Sequence, residues 1–121
     1  METPAAIDGL LAEAEEFTQR SWFVQDFEVS DRTDTTITLH FFIDAHLLVQ
    51  VFFSQRSERL SLALIGPAGR LYAWDRENGS WHRHPFGHSE HHELTSGGAL
   101  TRPLTQFMAS VEELLVRHGL V

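Results

Sequence analysis

The stretch that decides the fold is TITLHFFIDAHLLVQVFF, residues 36–53, in which two alternating runs flank a polar break. In the first run, apolar residues such as Ile37 and Leu39 alternate with threonine and histidine. This period of two is typical of a half-buried β-strand. Asp44-Ala45 marks a turn, and the alternation then resumes. The turn is too short for a crossover connection, so the stretch predicts an antiparallel hairpin.

Outward from this hairpin the same pattern continues towards both ends of the chain. Further alternating segments lie near residues 23–29, 60–65, 71–74 and 81–84. Gly66–Gly69 and Glu77–Gly79 are strong turn signals, because glycine and asparagine accept positive φ angles at little cost. The sequence therefore predicts an antiparallel meander of five to six strands.

Apolar residues at helical spacing occupy the two ends of the chain. Thr3-Pro4 is suited to begin a helix that ends near Arg20, and Pro103 opens a second helix that ends at Gly119. We therefore predict an α+β fold in one domain, residues 1–121, with the helices covering one face of the sheet. Residues 85–101 show no periodicity and are expected to form a long loop rich in histidine and glycine.

Composition narrows the functional classes. The chain has no cysteine, which excludes disulfides and thiolate metal sites, and its net charge is −8 with all nine basic residues arginine. A diffuse lysine-rich surface for nucleic acid is therefore not expected. The longest apolar runs are too short to span a bilayer, and no signal pattern opens the chain. We expect a cytoplasmic protein without a membrane partner.

Histidines suggest the chemistry. His82 and His84 are two residues apart on a predicted strand, so both imidazoles project from one face, while Arg83 projects from the other. Histidine serves as acid or base near neutral pH, and an arginine stabilises charge on phosphate. Metal-independent cleavage of RNA by its own 2′-oxygen needs this set of groups. We predict His82, His84 and Arg83 as the catalytic residues.

Residues for binding such a substrate lie close by in the sequence. Arg70 and Arg102 are candidate phosphate contacts. Tyr72 and Trp81 are candidate platforms on which a base could stack. Trp81 also has a structural interpretation, because it flanks the predicted Asn78-Gly79 turn opposite another tryptophan and would form a cross-strand aromatic pair.

A zinc site and a solvated loop are the alternatives to catalysis. The candidate ligands are histidines, with a glutamate from the same loop to complete the site; they are His82, His84, His88, His91, His92, Glu90 and Glu93. Their spacing matches no strong zinc signature. The loop histidines could equally be solvated and without a chemical task.

Two segments and the elements after them resemble the TumE family of toxins. These segments are Arg70-Leu71-Tyr72-Ala73-Trp74-Asp75 and Trp81-His82-Arg83-His84-Pro85, followed by the pair His91-His92 and a terminal helix opened by Pro103-Leu104. The similar region covers about residues 37–118. The resemblance implies the toxin of a bacterial or archaeal toxin–antitoxin pair, whose partner is a helix-turn-helix antitoxin.

Three hypotheses therefore stand at this point. The first is a toxin that acts as a ribonuclease without a metal cofactor. The second is a non-enzymatic module that binds another protein through its loop and acidic first helix. The third is a histidine-rich zinc protein. The sequence leaves the oligomeric state open, with a homo-oligomer among the outcomes.

Overall fold

A computed structural model of the chain describes residues 3–87, 93–95 and 102–121, with the backbone alone for residues 3–5 and 93–95. Its elements in chain order are α1 (Thr3–Arg20), β1 (Asp26–Arg32), β2 (Thr36–Asp44), β3 (Leu47–Ser54), β4 (Arg59–Gly66), β5 (Gly69–Glu77), β6 (Ser80–His84), β7 (Glu93–Thr95) and α2 (Pro103–Arg117). Neither helix is long and apolar enough to cross a membrane.

The strands form one antiparallel sheet in the order β1 to β7, each paired with its neighbour in sequence. The predicted α+β fold, with a helix, a meander and a second helix, is confirmed. The predicted loop 85–101 contains one addition, the three-residue strand β7, which pairs with β6. Backbone pairing over three residues needs no apolar alternation, so the sequence did not signal it. Residues 88–92 and 96–101 of that loop lie outside the described residues.

The β5–β6 turn fixes the register of the most chemically interesting hairpin. Asn78 and Gly79 both have positive φ, 54° and 78°, as a two-residue type I′ turn requires. Glu77 consequently pairs with Ser80, which continues to the pairs Asp75 with His82 and Ala73 with His84. Residues paired across antiparallel strands share a sheet face. The turn therefore decides which side chains meet.

Both helices pack on one face of the sheet, which we call the covered face. It carries the fully buried alternate residues of the strands, Ile37, Leu39, Phe41, Val49, Val51, Leu62 and Leu64. They form one cluster with the buried residues of the helices, Ile7, Ala14, Leu104, Phe107, Met108, Val111 and Leu115. Burial of this apolar surface is the main force that holds the helices on the sheet.

The opposite face carries the other alternate residues and neither helix; we call it the open face. Its side chains on β2, β3 and β4 are half-buried rather than enclosed. The strand registers align them in three rows across the sheet. Row one is Asp26, Phe42, Leu48, Ile65 and Arg70; row two is Glu28, His40, Gln50, Ala63, Ala73 and His84; row three is Asp31, Thr38, Phe52, Ser61, Asp75 and His82.

Candidate functional site

Strand β6 distributes its side chains as the alternation predicts. His82 and His84 lie on the open face, opposite Asp75 and Ala73 of β5. Trp81 and Arg83 lie on the covered face. Of the two histidines, His82 is half-buried and His84 is only 8% exposed. The His84 ring is therefore enclosed by its neighbours, although neither helix covers this face.

The His84 ring lies between a carboxylate and a guanidinium. Its Nε2 is 3.4 Å from Oδ2 of Asp75, and Nη2 of Arg70 is 3.4 Å from its Nδ1. The side chains of His84 and Asp75 are 10% and 21% exposed, so water screens the pair only in part. These three residues, Arg70, Asp75 and His84, are the candidate site.

The two neighbours select one tautomer of the imidazole. A guanidinium has N–H groups only, so Nδ1 of His84 must accept from Arg70 through its lone pair. Nε2 then carries the proton and donates it towards Asp75. An aspartate that holds a histidine in one tautomer and one orientation is the arrangement that prepares an imidazole to take a proton at its other nitrogen.

A β-bulge brings Arg70 to this face. On β5, Tyr72 pairs with Leu64, but Arg70 pairs with Ile65, so the register shifts by one residue between the two pairs. Arg70 would otherwise share the parity of Tyr72 and point to the covered face. The bulge instead aims its guanidinium at His84.

Arg83, a predicted catalytic residue, is separated from the histidines by the sheet. It lies opposite Trp74 and lines a cleft of about 450 Å³ between β6 and the end of α2. The ring of Phe86 stacks on that of His118 in the same cleft, with 4.4 Å between the ring centroids. The alternation of a strand cannot place Arg83 beside His82 and His84, so in this site Arg70 takes the position expected of Arg83.

The predicted base-stacking residues Tyr72 and Trp81 lie in the core, 5% and 8% exposed. Tyr72 stacks on Phe107 of α2, with 5.5 Å between the ring centroids. Trp74 contacts Trp81 edge to face, with 6.3 Å between the centroids. The rings are thus occupied by the covering helix and by each other, and a base has no access to them. The structural interpretation of Trp81 as half of a cross-strand aromatic pair is confirmed.

Arg102, a predicted phosphate contact, instead joins the two helices. Its guanidinium pairs with Glu16 of α1 and lies 3.8 Å from a carboxylate oxygen of Glu13. Glu13 also accepts bonds of 2.8 Å from the backbone N–H and the hydroxyl of Thr105, in the first turn of α2. These carboxylates balance the charge of Arg102, so it belongs to the α1–α2 contact and not to the histidine site.

The metal alternative has little support within the described ranges. Among residues 6–87 and 102–121, whose side chains the structure describes, no three histidine, aspartate or glutamate side chains converge on a position that could hold a metal ion. Four of the candidate zinc ligands, His88, Glu90, His91 and His92, lie outside those ranges, and Glu93 is described by its backbone alone. The described part of the predicted set, His82 and His84, does not by itself make a zinc site.

Asp75 is the site residue that the sequence analysis did not include. A signal for it was present: a two-residue turn at Asn78-Gly79 requires Asp75 to lie opposite His82, on the face that carries His84. Counting outward from the turn would have identified the carboxylate. The bulge that recruits Arg70 left no comparable signal.

Comparison with known proteins adds no relative. No family model, no curated protein and no solved structure matches this chain.

Proposed function

We propose that the protein is the toxin of a toxin–antitoxin pair and cleaves RNA without a metal cofactor, with His84 as the general base. The observation that carries the proposal is the contact of one imidazole with Asp75 on one nitrogen and Arg70 on the other. The toxin role itself rests on the resemblance of residues 37–118 to the TumE family. The reaction rests on the chemistry of the three side chains.

Each of the three residues has a role in strand cleavage. Asp75 keeps the proton of His84 on Nε2, which leaves Nδ1 as the base. The contact between Arg70 and Nδ1 is long at 3.4 Å, so a phosphate oxygen can attract the guanidinium while the 2′-hydroxyl takes its place at Nδ1. Arg70 then stabilises the negative charge that develops on the phosphate.

Cleavage needs one further group, a general acid that gives a proton to the leaving oxygen. The 2′-hydroxyl gives its proton to Nδ1 of His84, and its oxygen forms a bond to phosphorus. The bond from phosphorus to the 5′-oxygen breaks, and that oxygen receives a proton from His82, on the same face as His84. The products are a 2′,3′-cyclic phosphate and a free 5′-hydroxyl. No metal ion is required at any point.

Charge limits how such a protein binds RNA. With a net charge of −8, the surface as a whole repels a polyanion. Arg70 and the two histidines would have to supply the local attraction. We therefore expect weak binding with a small salt dependence, in contrast to enzymes with extended basic grooves.

The decisive experiment is cleavage of a defined RNA by the purified protein in excess chelator. Wild-type protein should release fragments ending in 2′,3′-cyclic phosphate, and His84→Gln should lower the rate by about 10²-fold or more. The matched control is His40→Gln. His40 is a half-buried histidine in the same row as His84, bonded to Gln50 at 3.0 Å and away from the site. That variant should retain wild-type activity.

Two results would overturn the ribonuclease proposal. One is intact RNA after prolonged incubation with stoichiometric protein. The other is equal loss of activity in the His84 and His40 variants, which would point to a general effect on the fold. Activity that disappears with chelator and returns with zinc would support the metal alternative instead.

The toxin proposal has its own test in cells. Induced expression should arrest growth, and His84→Gln should relieve the arrest while His40→Gln does not. Co-expression of an adjacent gene for a helix-turn-helix protein should also relieve it. If expression is harmless but a neighbour-encoded protein still co-purifies with the histidine variants, the chain is a binding module rather than a toxin.

A further inference from the structure

The cleft between β6 and the end of α2 lies on the covered face, so the sheet separates it from Arg70, Asp75 and His84. Its volume of about 450 Å³ is within the range of roughly 300–1,000 Å³ that is typical of small-molecule sites. Strand β6 contributes Arg83 to its lining and α2 contributes Arg117, and both side chains are exposed to solvent. The proposed cleavage of RNA uses none of the residues that line it.

The charge of this cleft is opposite to that of the whole protein. Among the described residues that line it, Arg83 and Arg117 carry guanidiniums and Glu113 carries the one carboxylate. The chain as a whole has a net charge of −8. Two cations against one carboxylate give the lining a positive charge in an otherwise acidic protein, and a local positive potential attracts an anion.

The two arginines suit a phosphate group. A guanidinium presents its N–H groups in a planar fork that matches two oxygens of an anion. A carboxylate has only two oxygens, which one such fork occupies. A phosphate monoester has three terminal oxygens, so Arg83 from the strand and Arg117 from the helix can bond with it together.

Two hydroxyls in the same cleft add a further donor. Tyr72 and Ser110 both line it, and their hydroxyls are hydrogen-bonded to each other. The oxygen of Tyr72 also accepts a 2.9 Å bond from Nε1 of Trp74. When Tyr72 gives its proton to Ser110, the proton of Ser110 can be donated to a phosphate oxygen.

The rest of the lining is mainly apolar. The rings of Phe86 and His118 stack with 4.4 Å between their centroids, and Pro85 and Leu114 line the cleft beside them. Phe86, Pro85 and Leu114 are half-buried. A flat ring packed against these side chains would remove their remaining apolar surface from water. A phosphate and a flat ring are the two parts of a nucleotide.

The end of α2 is closed in a way that makes it compatible with an anion. Unbonded carbonyls at a helix C-terminus carry partial negative charge, which would oppose a phosphate. Here the backbone N–H of Gly119 donates to the carbonyl of Val116, and that of Leu120 donates to the carbonyl of Leu115. Gly119 has the positive φ of 64° that this pair of bonds requires. These bonds engage carbonyls that would otherwise face solvent.

We infer that the cleft binds a nucleoside monophosphate, with the phosphate at Arg83 and Arg117 and the base against Phe86 and Leu114. The inference does not rest on the proposed ribonuclease activity, because the cleft and the histidine site lie on opposite faces of the sheet. Its tests measure binding and not cleavage, so either idea can fail without the other.

Calorimetric titration with adenosine 5′-monophosphate tests the inference. The wild-type chain should bind it with a dissociation constant below about 1 mM. Adenosine and inorganic phosphate should each bind at least about tenfold more weakly, because each lacks one part of the contacts. Arg83→Gln should raise the dissociation constant for the nucleotide at least about tenfold, the usual contribution of a hydrogen bond to a charged group.

Glu113→Gln is expected to have the opposite effect. Glu113 lies 3.1 Å from the guanidinium of Arg117, so its carboxylate competes with the phosphate for that side chain. Removing its charge should lower the dissociation constant about two- to fivefold. Damage to the fold cannot explain tighter binding, so this variant keeps the test valid if Arg83→Gln is unstable.

Matched controls neutralise charges outside the cleft. Glu112→Gln changes the neighbouring residue of α2, whose carboxylate accepts a bond from Nε1 of Trp22. Arg56→Gln changes an exposed residue of the β3–β4 turn. Both variants should keep the dissociation constant within about twofold of wild type, because water and salt screen charges that do not contact the ligand.

Three results would overturn the inference. The first is a nucleotide that does not bind the wild-type chain, or that binds no more tightly than adenosine. The second is equal affinity in Arg83→Gln and wild type. The third is loss of binding in Arg70→Gln but not in Arg83→Gln, which would place the nucleotide on the open face.

Discussion

The two faces of the β5–β6 hairpin, residues 69–84, are held in place by different means. On the covered side, the ring centroid of Trp74 lies 5.2 Å from that of Phe107 and 6.3 Å from that of Trp81, and α2 covers these rings. On the open side, the contacts of His84 include polar ones of 3.4 Å to Asp75 and to Arg70. The side chains on the covered side are closely packed, and a gap between them would lose van der Waals contacts. Close packing therefore holds these side chains in one arrangement.

The difference suggests a division of labour within one hairpin. The aromatic cluster fixes the backbone of β5 and β6, and the backbone in turn fixes where Asp75 and His84 start. The final positions of the polar groups depend in part on long contacts, 3.4 Å from Asp75 to His84 and from Arg70 to His84, that a substrate can replace. A rigid strand gives the candidate site a fixed backbone, which positions its side chains more precisely than a loop would.

Removing a ring from the covered side is the strongest way to break this comparison. Phe107 is fully buried and contacts both Tyr72 and Trp74. Phe107→Ala should lower the free energy of unfolding by about 3–5 kcal/mol, because the lost burial is compounded by a cavity. Urea denaturation measures this change.

The control for that variant lies on the same helix. Val116 is 60% exposed, and Val116→Ala should change the free energy of unfolding by less than about 0.5 kcal/mol. A Phe107→Ala variant as stable as Val116→Ala would mean that the aromatic cluster does not hold the hairpin, and the contrast between the two sides would fail.

The fold was accessible from sequence because burial on one face leaves a periodic record. Ile37, Leu39 and Phe41 alternate with polar residues, and all three are fully buried under the helices. The helix boundaries near Arg20 and Gly119 were equally readable, since Gly119 adopts the positive φ of 64° that its role at a helix end requires. Strand β7 escaped because three residues are too few for a period.

Only part of the candidate site could be predicted from the sequence, because the rest depends on the register between strands. The alternation of side chains along a strand was enough to predict that His82 and His84 share a face. It would also have predicted Asp75 on that face if the strand pairing had been counted from the Asn78-Gly79 turn. Arg70 is among the predicted phosphate contacts, but its place on the open face depends on a register shift between Leu64 and Ile65, which no residue type indicates. The burial of Tyr72 and the pairing of Arg102 with α1 depend on where the helices dock, which is a tertiary property.

A smaller change on the covered side removes one hydroxyl and keeps the rings. The Tyr72 hydroxyl bonds with Ser110 and accepts a 2.9 Å bond from Nε1 of Trp74. Tyr72→Phe leaves that indole N–H without its acceptor and should cost about 1–2 kcal/mol of unfolding free energy. Ser110→Ala is the control, because it keeps the Trp74 bond and should cost less. Equal losses in the two variants would show that the tyrosine–tryptophan bond contributes nothing.

The smallest effect is expected on the open side, from Asp75→Asn. The carboxylate is 21% exposed and its contact with Nε2 of His84 is long at 3.4 Å, so the contact is a weak one. The amide keeps the shape and can still accept a bond from Nε2 of His84, and the loss of unfolding free energy should stay below about 1 kcal/mol. Asp31→Asn, at the exposed far end of row three, is the matched control and should cost less still.

Salt separates the possible origins of that small effect. If attraction between the Asp75 carboxylate and positive charge in the site contributes, the difference between the Asp75 and Asp31 variants should shrink in about 1 M salt, where charges are screened within about 3 Å. A loss above about 2 kcal/mol that is independent of salt would exceed what a screened pair supplies. It would make the polar contacts of the open side as important to the fold as the aromatic cluster. Asp75 would then have a structural role in the hairpin, and this result would count against its role in orienting His84 for a substrate.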